Sequence, residues 1–153
     1  MYIMRVCTLA SGSSGNSLYI ECGATRILVD AGISRRQITQ RLASIGVSLS
    51  DIDAVVVTHE HSDHTASLPR LGLPAYVASA TAHLWKEKVS GLSEFESDTP
   101  FTIKDLYITP FSVPHDALDP VGFTIEAGNG SKIGIATDIG TATSLVRERL
   151  REC

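Results

Sequence analysis

The chain has 153 residues, 43% of them hydrophobic and 20% charged, and 13 Lys+Arg against 17 Asp+Glu leave a net charge of −4. That is one domain's worth of chain with enough apolar content for a core, which excludes a disordered protein. No apolar run nears the roughly 18 residues of a membrane span, and the acidic balance disfavours bulk nucleic-acid binding, which needs Lys and Arg against phosphates. The segment Met1-Tyr2-Ile3-Met4-Arg5-Val6-Cys7 lacks the basic-then-apolar layout of a secretory signal. Cys7, Cys22 and Cys153 are odd in number and widely spaced, which fits neither a disulfide framework nor a Cys-x-x-Cys zinc site. The expectation is a cytoplasmic protein with no membrane partner.

In chain order, strand-like runs are expected at 2–7, 17–21 and 26–30, broken by Gly12, Gly15 and Gly23. A helix follows over 34–45, with Ser34 as N-cap, Ile38, Leu42 and Ile45 on one face and Gly46 as the stop. Residues 52–57 form a short Val-rich run, as a strand buried on both faces does. A strand at 75–79 precedes a helical face of Ala82, Trp85 and Val89 over 81–90, on which His83 is a surface residue. Strands are expected at 106–113, 121–127 and 132–137, the last two flanking the two-residue hairpin signal Asn129-Gly130. A helix over 142–151 closes the chain. Strands alternating with helices, with hairpins among them, predict a mixed α/β class with mixed sheets.

His59-Glu60-His61-Ser62-Asp63-His64 carries the chemistry. Imidazole and carboxylate together suit zinc or manganese, with iron a further candidate. In an extended segment His59 and His61 project the same way and can grip one ion, while Asp63 and His64, after a bend, can face a second. His115 lies just past one strand and Asp138 just past another, as His59 does. Asp138 by itself also fits a helix cap. Residues 12–17 suit either a tight turn or a nest of N–H groups for phosphate, without the Lys or the helix of a P-loop. Asp30 either orients a ligand His or solvates a strand end. Arg35, Arg36 and Arg41 form either a phosphate-tracking face or a solvated helix side.

Taken together, residues 10–17 (Ala-Ser-Gly-Ser-Ser-Gly-Asn-Ser), 28–32 (Leu-Val-Asp-Ala-Gly), 58–64 (Thr-His-Glu-His-Ser-Asp-His), 114–117 (Pro-His-Asp-Ala), 119–123 (Asp-Pro-Val-Gly-Phe) and 135–140 (Ile-Ala-Thr-Asp-Ile-Gly) resemble the metallo-β-lactamase superfamily. Within it they are similar to the YycJ/WalJ-type exonuclease branch. The resemblance covers essentially the whole chain. It implies an αβ/βα sandwich, a metal-dependent hydrolase with two divalent ions, and DNA as the substrate of an exonuclease or phosphodiesterase using a metal-bound hydroxide. By the same resemblance His59, His61 and His115 hold the first ion, Asp63 and His64 the second, and Asp138 bridges them. Asp63 would also orient the nucleophile, and Asn16 would touch substrate at the rim.

Two other readings share these ligands: a hydrolase of a thioester, lactone or β-lactam, and a non-catalytic metal-binding fragment. Members of the branch continue past the Asp138 strand and bring a further metal-binding His, and no His follows His115 here. Residues 1–153 are therefore expected to form the N-terminal portion of the full domain, with an incomplete second metal site. Val121, Phe123, Ile125, Ile133 and Ile135 alternate at spacing two. They are expected to lack a covering layer and to draw a homo-oligomer or a completing C-terminal segment.

Overall fold

Apolar runs in the first two-thirds of the chain build a six-stranded sheet in the computed structural model, which describes residues 3–153. Its strands lie in chain order: β1 (Arg5–Ala10), β2 (Ser17–Cys22), β3 (Thr25–Val29), β4 (Ala54–Val56), β5 (Ala75–Ala78) and β6 (Leu92–Phe95). β1 to β3 pair antiparallel and β3 to β6 parallel, so the sheet is mixed. The second sheet is antiparallel, in the order β10-β9-β8-β7, with β7 (Phe101–Ile103), β8 (Leu106–Ser112), β9 (Val121–Ala127) and β10 (Lys132–Ile135). The helices are α1 (Arg35–Ser44), the single turns α2 (Ser62–Thr65) and α3 (Leu68–Leu71), and α4 (Ser144–Arg149).

Burial sorts these elements into layers. α1 starts at a capping box, with Ser34 and Gln37 bonding each other's backbone, and buries Ile38 and Leu42. Those side chains pack with Tyr19, Leu28, Val55 and Val77 on one face of the first sheet. From the opposite face Ile20, Ile27, Val29 and Val56 meet Ile108, Phe123 and Ile125 of the second sheet. Val146 of α4 covers Phe111 on the outer side of that sheet. The order is helix, sheet, sheet, helix, as expected of a sandwich.

Several expectations need correction. The first strand runs three residues later than 2–7, and Tyr2 lies outside the described residues. Residues 81–90 form no α-helix: a 3-10 segment, Ser79–Leu84, gives way to turns. It begins without a side-chain cap, and its apolar spacing is met by single turns that bury Ala82, Trp85 and Val89. His83 is exposed there, as expected. The hairpin loop has three residues, not two: Ala127 N–H donates to Ser131 O at 2.9 Å and Gly130 N–H to Ala127 O at 2.9 Å, with Gly130 at φ +83°. That is a turn followed by a left-handed residue, which glycine takes without strain. Val121, Phe123, Ile125 and Ile135 are buried rather than bare, because the six-stranded sheet covers them; Ile133 is half-buried. The closing helix is shorter than 142–151 and is capped by Thr143, not Asp138.

Candidate metal centre

His59, His115 and Asp138 each stand three residues past the end of a strand, β4, β8 and β10 respectively. β8 and β10 both run antiparallel to β9, so their C-terminal ends lie on the same side of the second sheet. Val121 N–H donates to Thr58 O at 3.0 Å and ties that side to the end of β4. Strand ends of both sheets thus converge on one edge, where loops present side chains. Glu60 fastens two of these loops: its Oε1 accepts from Leu118 N–H at 2.9 Å, holding the His115 loop against the His59 loop.

The first group is His59, His61 and His115, whose ligand atoms all lie within 4.8 Å of one another. The His59 ring is 4.7 Å from each of the other two, and His115 Nε2 is 3.2 Å from His61 Nδ1. His59 is only 4% exposed, and its Nε2 is buried with no hydrogen-bond partner. Burial, with the neighbouring His64, His115 and His61, pushes its pKa down to about 4. It is therefore a neutral imidazole at neutral pH, the form that binds metal.

The second group is His59, His64 and Asp138, under the same 4.8 Å limit. Asp138 Oδ2 lies 2.8 Å from His64 Nε2 and 4.0 Å from His59 Nε2. Asp63 Oδ2 approaches the same His64 Nε2 at 3.5 Å. Burial opposes charge on His64, but the hydrogen bond and charge of Asp30, with Asp63 and Asp138, outweigh it and raise its pKa. Asp138 holds a left-handed backbone, φ +54°, which a non-glycine residue rarely adopts and which functional sites favour.

The support beneath both groups is Asp30. It follows β3 directly, is 2% exposed and has φ +65°. Its Oδ1 accepts from Thr58 N–H at 2.8 Å, and its Oδ2 from the Thr58 hydroxyl at 2.8 Å and from His64 Nδ1 at 2.7 Å. It is thus a buried carboxylate that orients His64 and not a solvated strand end. Three backbone segments interleave beside it. Asn16 N–H donates to Asp63 O at 2.7 Å, Gly32 N–H to Asn16 O at 2.8 Å and Ala31 N–H to His64 O at 2.7 Å. A Cβ on Gly32 would stand 1.6 Å from Asp63 O, so only glycine fits.

Asn16 is tied into this weave and also lines the cleft beside it. Its Oδ1 accepts from Gly12 N–H at 3.1 Å, and its Nδ2 donates to Gly12 O at 3.0 Å and stands 3.2 Å from His64 Nε2. Residues 12–17 are therefore a turn closed on its own asparagine. A cleft of about 430 Å³ opens there, lined by Ser11, Gly12, Ser13, Asn16, Asp63 and Asp138. Of the α1 arginines, Arg35 donates to Arg70 O at 3.0 Å and Arg41 to Leu9 O.

This donor set fits divalent metal ions. A buried imidazole nitrogen without a partner, a second imidazole against two carboxylates and a carboxylate holding that ring from behind make up a ligand shell with its support. Thr58 and Glu60, quoted in the motif but given no role there, support it: Thr58 donates to Asp30 and Glu60 holds the His115 loop. No helix among the described residues is long and apolar enough to cross a membrane.

Comparison with known proteins agrees with this geometry. The chain is 38% identical over 143 residues to the exodeoxyribonuclease WalJ of Streptococcus pneumoniae R6, covering 86% of this chain and 53% of that protein. It is 32% identical over 144 residues to the exodeoxyribonuclease YycJ of Bacillus anthracis, with the same coverage of 86% and 53%. The chain thus spans about half the length of the curated relatives it matches. The metallo-β-lactamase fold protein YhfI of Bacillus subtilis superposes with a TM-score of 0.70 at 20% identity, over 86% of this chain and 60% of that one. Residues 25–153, which carry every proposed ligand, match the family model of the β-lactamase superfamily domain. The chain belongs to the β-lactamase superfamily and has the fold of its metallo-β-lactamase members.

Proposed function

We propose that residues 1–153 are the N-terminal portion of a metallo-β-lactamase-like domain that holds two divalent ions, zinc or manganese, and serves the hydrolysis of DNA phosphodiesters from an end. The observation that carries this reading is the pair of ligand groups sharing His59, beside a cleft bounded by Asp63 and Asp138. His59, His61 and His115 would hold one ion. His64 and Asp63 would hold the other, with Asp138 between the two. Bound there, the ions would supply an acidified water and positive charge against a phosphoryl group.

The chain's own residues do the rest. Asp30 keeps His64 aimed, and the weave through Gly32 fixes where Asp63 stands. Asp63, half-buried at the mouth of the cleft, would also orient the attacking oxygen. Asn16 and its turn form the wall along which substrate lies. DNA as the substrate is supported by the relatives, both of which are named exodeoxyribonucleases. A reducing, cytoplasmic setting suits Cys7, Cys22 and Cys153, all free thiols.

The test is turnover by metal-loaded protein on 5′-phosphorylated duplex DNA, single-stranded DNA, RNA and S-lactoylglutathione. The expected result is DNA shortened from an end in the presence of manganese or zinc. Thioester hydrolysis by protein inert on every nucleic acid would overturn the reading.

A further inference from the structure

We propose that Thr58 is a positioning residue that carries the hold of Asp30 on to His59, so that one buried carboxylate sets the tautomer of a ligand in each group. The inference deepens the two-ion reading and rests on it for its consequence in metal binding. Its core is a count of protons within the chain. The Thr58 hydroxyl has a single proton, and it is directed to Asp30 Oδ2 at 2.8 Å. With that proton committed, the hydroxyl oxygen can only accept from its remaining neighbours, of which His59 Nδ1 is nearest, at 3.0 Å. A neutral imidazole carries one N–H. An acceptor at Nδ1 places the proton there and leaves the lone pair on Nε2.

Nε2 is the atom of His59 that is buried without a partner and faces Asp138 Oδ2 at 4.0 Å. The opposite tautomer would leave an N–H buried with no acceptor in hydrogen-bond range and would set two lone pairs against each other at Nδ1. In His64 the Nδ1 proton is fixed without an intermediary, on Asp30 Oδ2 at 2.7 Å. Asp30 therefore acts on one ring directly and on the other through Thr58. The two groups share more than His59: they share the carboxylate that aims it. Thr58 suits the task because it is buried, 1% exposed, and its backbone N–H is held by the same carboxylate at 2.8 Å, which fixes the hydroxyl's position.

Nitrogen-15 correlation spectra of the histidine rings in the metal-free protein at neutral pH test this. Wild-type His59 should show the Nδ1–H form. Thr58→Val, close in shape and lacking the hydroxyl, should shift His59 towards Nε2–H while His64 keeps its bond to Asp30, and Thr58→Ser should restore the wild-type signal. Asp30→Asn should also move His59, although the two side chains share no direct bond. A zinc titration then gives the consequence: affinity falls by about 10–100-fold in Thr58→Val and recovers in Thr58→Ser. Wild-type His59 in the Nε2–H form would overturn the proposal, as would a His59 signal unmoved in both Asp30→Asn and Thr58→Val. If Thr58→Val does not fold, the wild-type spectrum and Asp30→Asn decide. Tautomer shifts as described in a protein that binds no zinc would instead defeat the two-ion reading and leave the positioning role standing.

Discussion

His64 Nδ1 stands 2.7 Å from Asp30 Oδ2, joining positions 34 residues apart through side chains only 0% and 2% exposed. Two such groups, away from water, stabilise the fold only while both are present, since removing one strands the other. The same contact presents His64 Nε2 to Asp63 and Asp138. Fold and site therefore depend on one pair.

Replacing Asp30 by Asn keeps the size and a residue type that tolerates φ +65° but removes the charge. The expected cost is about 3–5 kcal/mol of stability, read from urea unfolding of metal-free protein. Unchanged stability would show that the contact is incidental.

Gly32→Ala places a methyl group against Asp63 O, where backbone cannot yield without moving the Asp63–His64 turn. A loss at or above the ~1–3 kcal/mol of overpacking is expected, with weakened metal binding alongside it. Gly140→Ala is the control, because its Cβ would meet nothing within 4 Å. Thermal melts of the two variants make the comparison; equal melting points would contradict the close approach.

Acidification should destabilise the metal-free chain through His59. Its folded pKa of about 4 lies below the ordinary 6.5, so between those values the unfolded chain binds a proton that the folded chain refuses. Stability therefore falls as pH drops from 6.5. His64, raised above 6.5, is protonated in both states in that window and adds no slope; its contribution is lost instead as pH rises through its folded value. The unfolding free energy from urea titrations down to about pH 5 should fall with a slope approaching ~1.4 kcal/mol per pH unit, and His59→Gln should flatten the profile. A flat wild-type profile would contradict the neutral buried imidazole.

Much of this was legible in the sequence, for definite reasons. β2, β3 and β4 are apolar runs bounded by turns, and α1 has both a capping box and an apolar face. The His59–His64 cluster was legible because its ligands are local. β6 and β7 were not, since Leu92–Phe95 and Phe101–Ile103 are short and mix polar residues into the apolar run. Asp30 was ambiguous because its partners, Thr58 and His64, come from 28 and 34 residues away. The Val121–Ile135 hairpin was read as lacking cover because a period of two shows that one face is buried, but not by what.

That cover can be checked by substitution. Phe123 is fully buried between the sheets, whereas Tyr107, on the outer face of β8, is 49% exposed. Phe123→Ala should cost about 3–5 kcal/mol and Tyr107→Ala about 0.5 kcal/mol or less, both by urea unfolding. Similar costs would mean that the two faces of the second sheet have been assigned wrongly.

The assignment of His59, His61 and His115 to one ion and of His64, Asp63 and Asp138 to another is tested most directly by the metal content of the purified chain after loading with zinc or manganese and removal of free ion. Two ions per chain are expected for the wild type, and at most one for the double variant His59→Ala/His61→Ala, which removes two of the three ligands of the His59–His61–His115 ion. Wild-type metal content in the double variant would contradict the assignment.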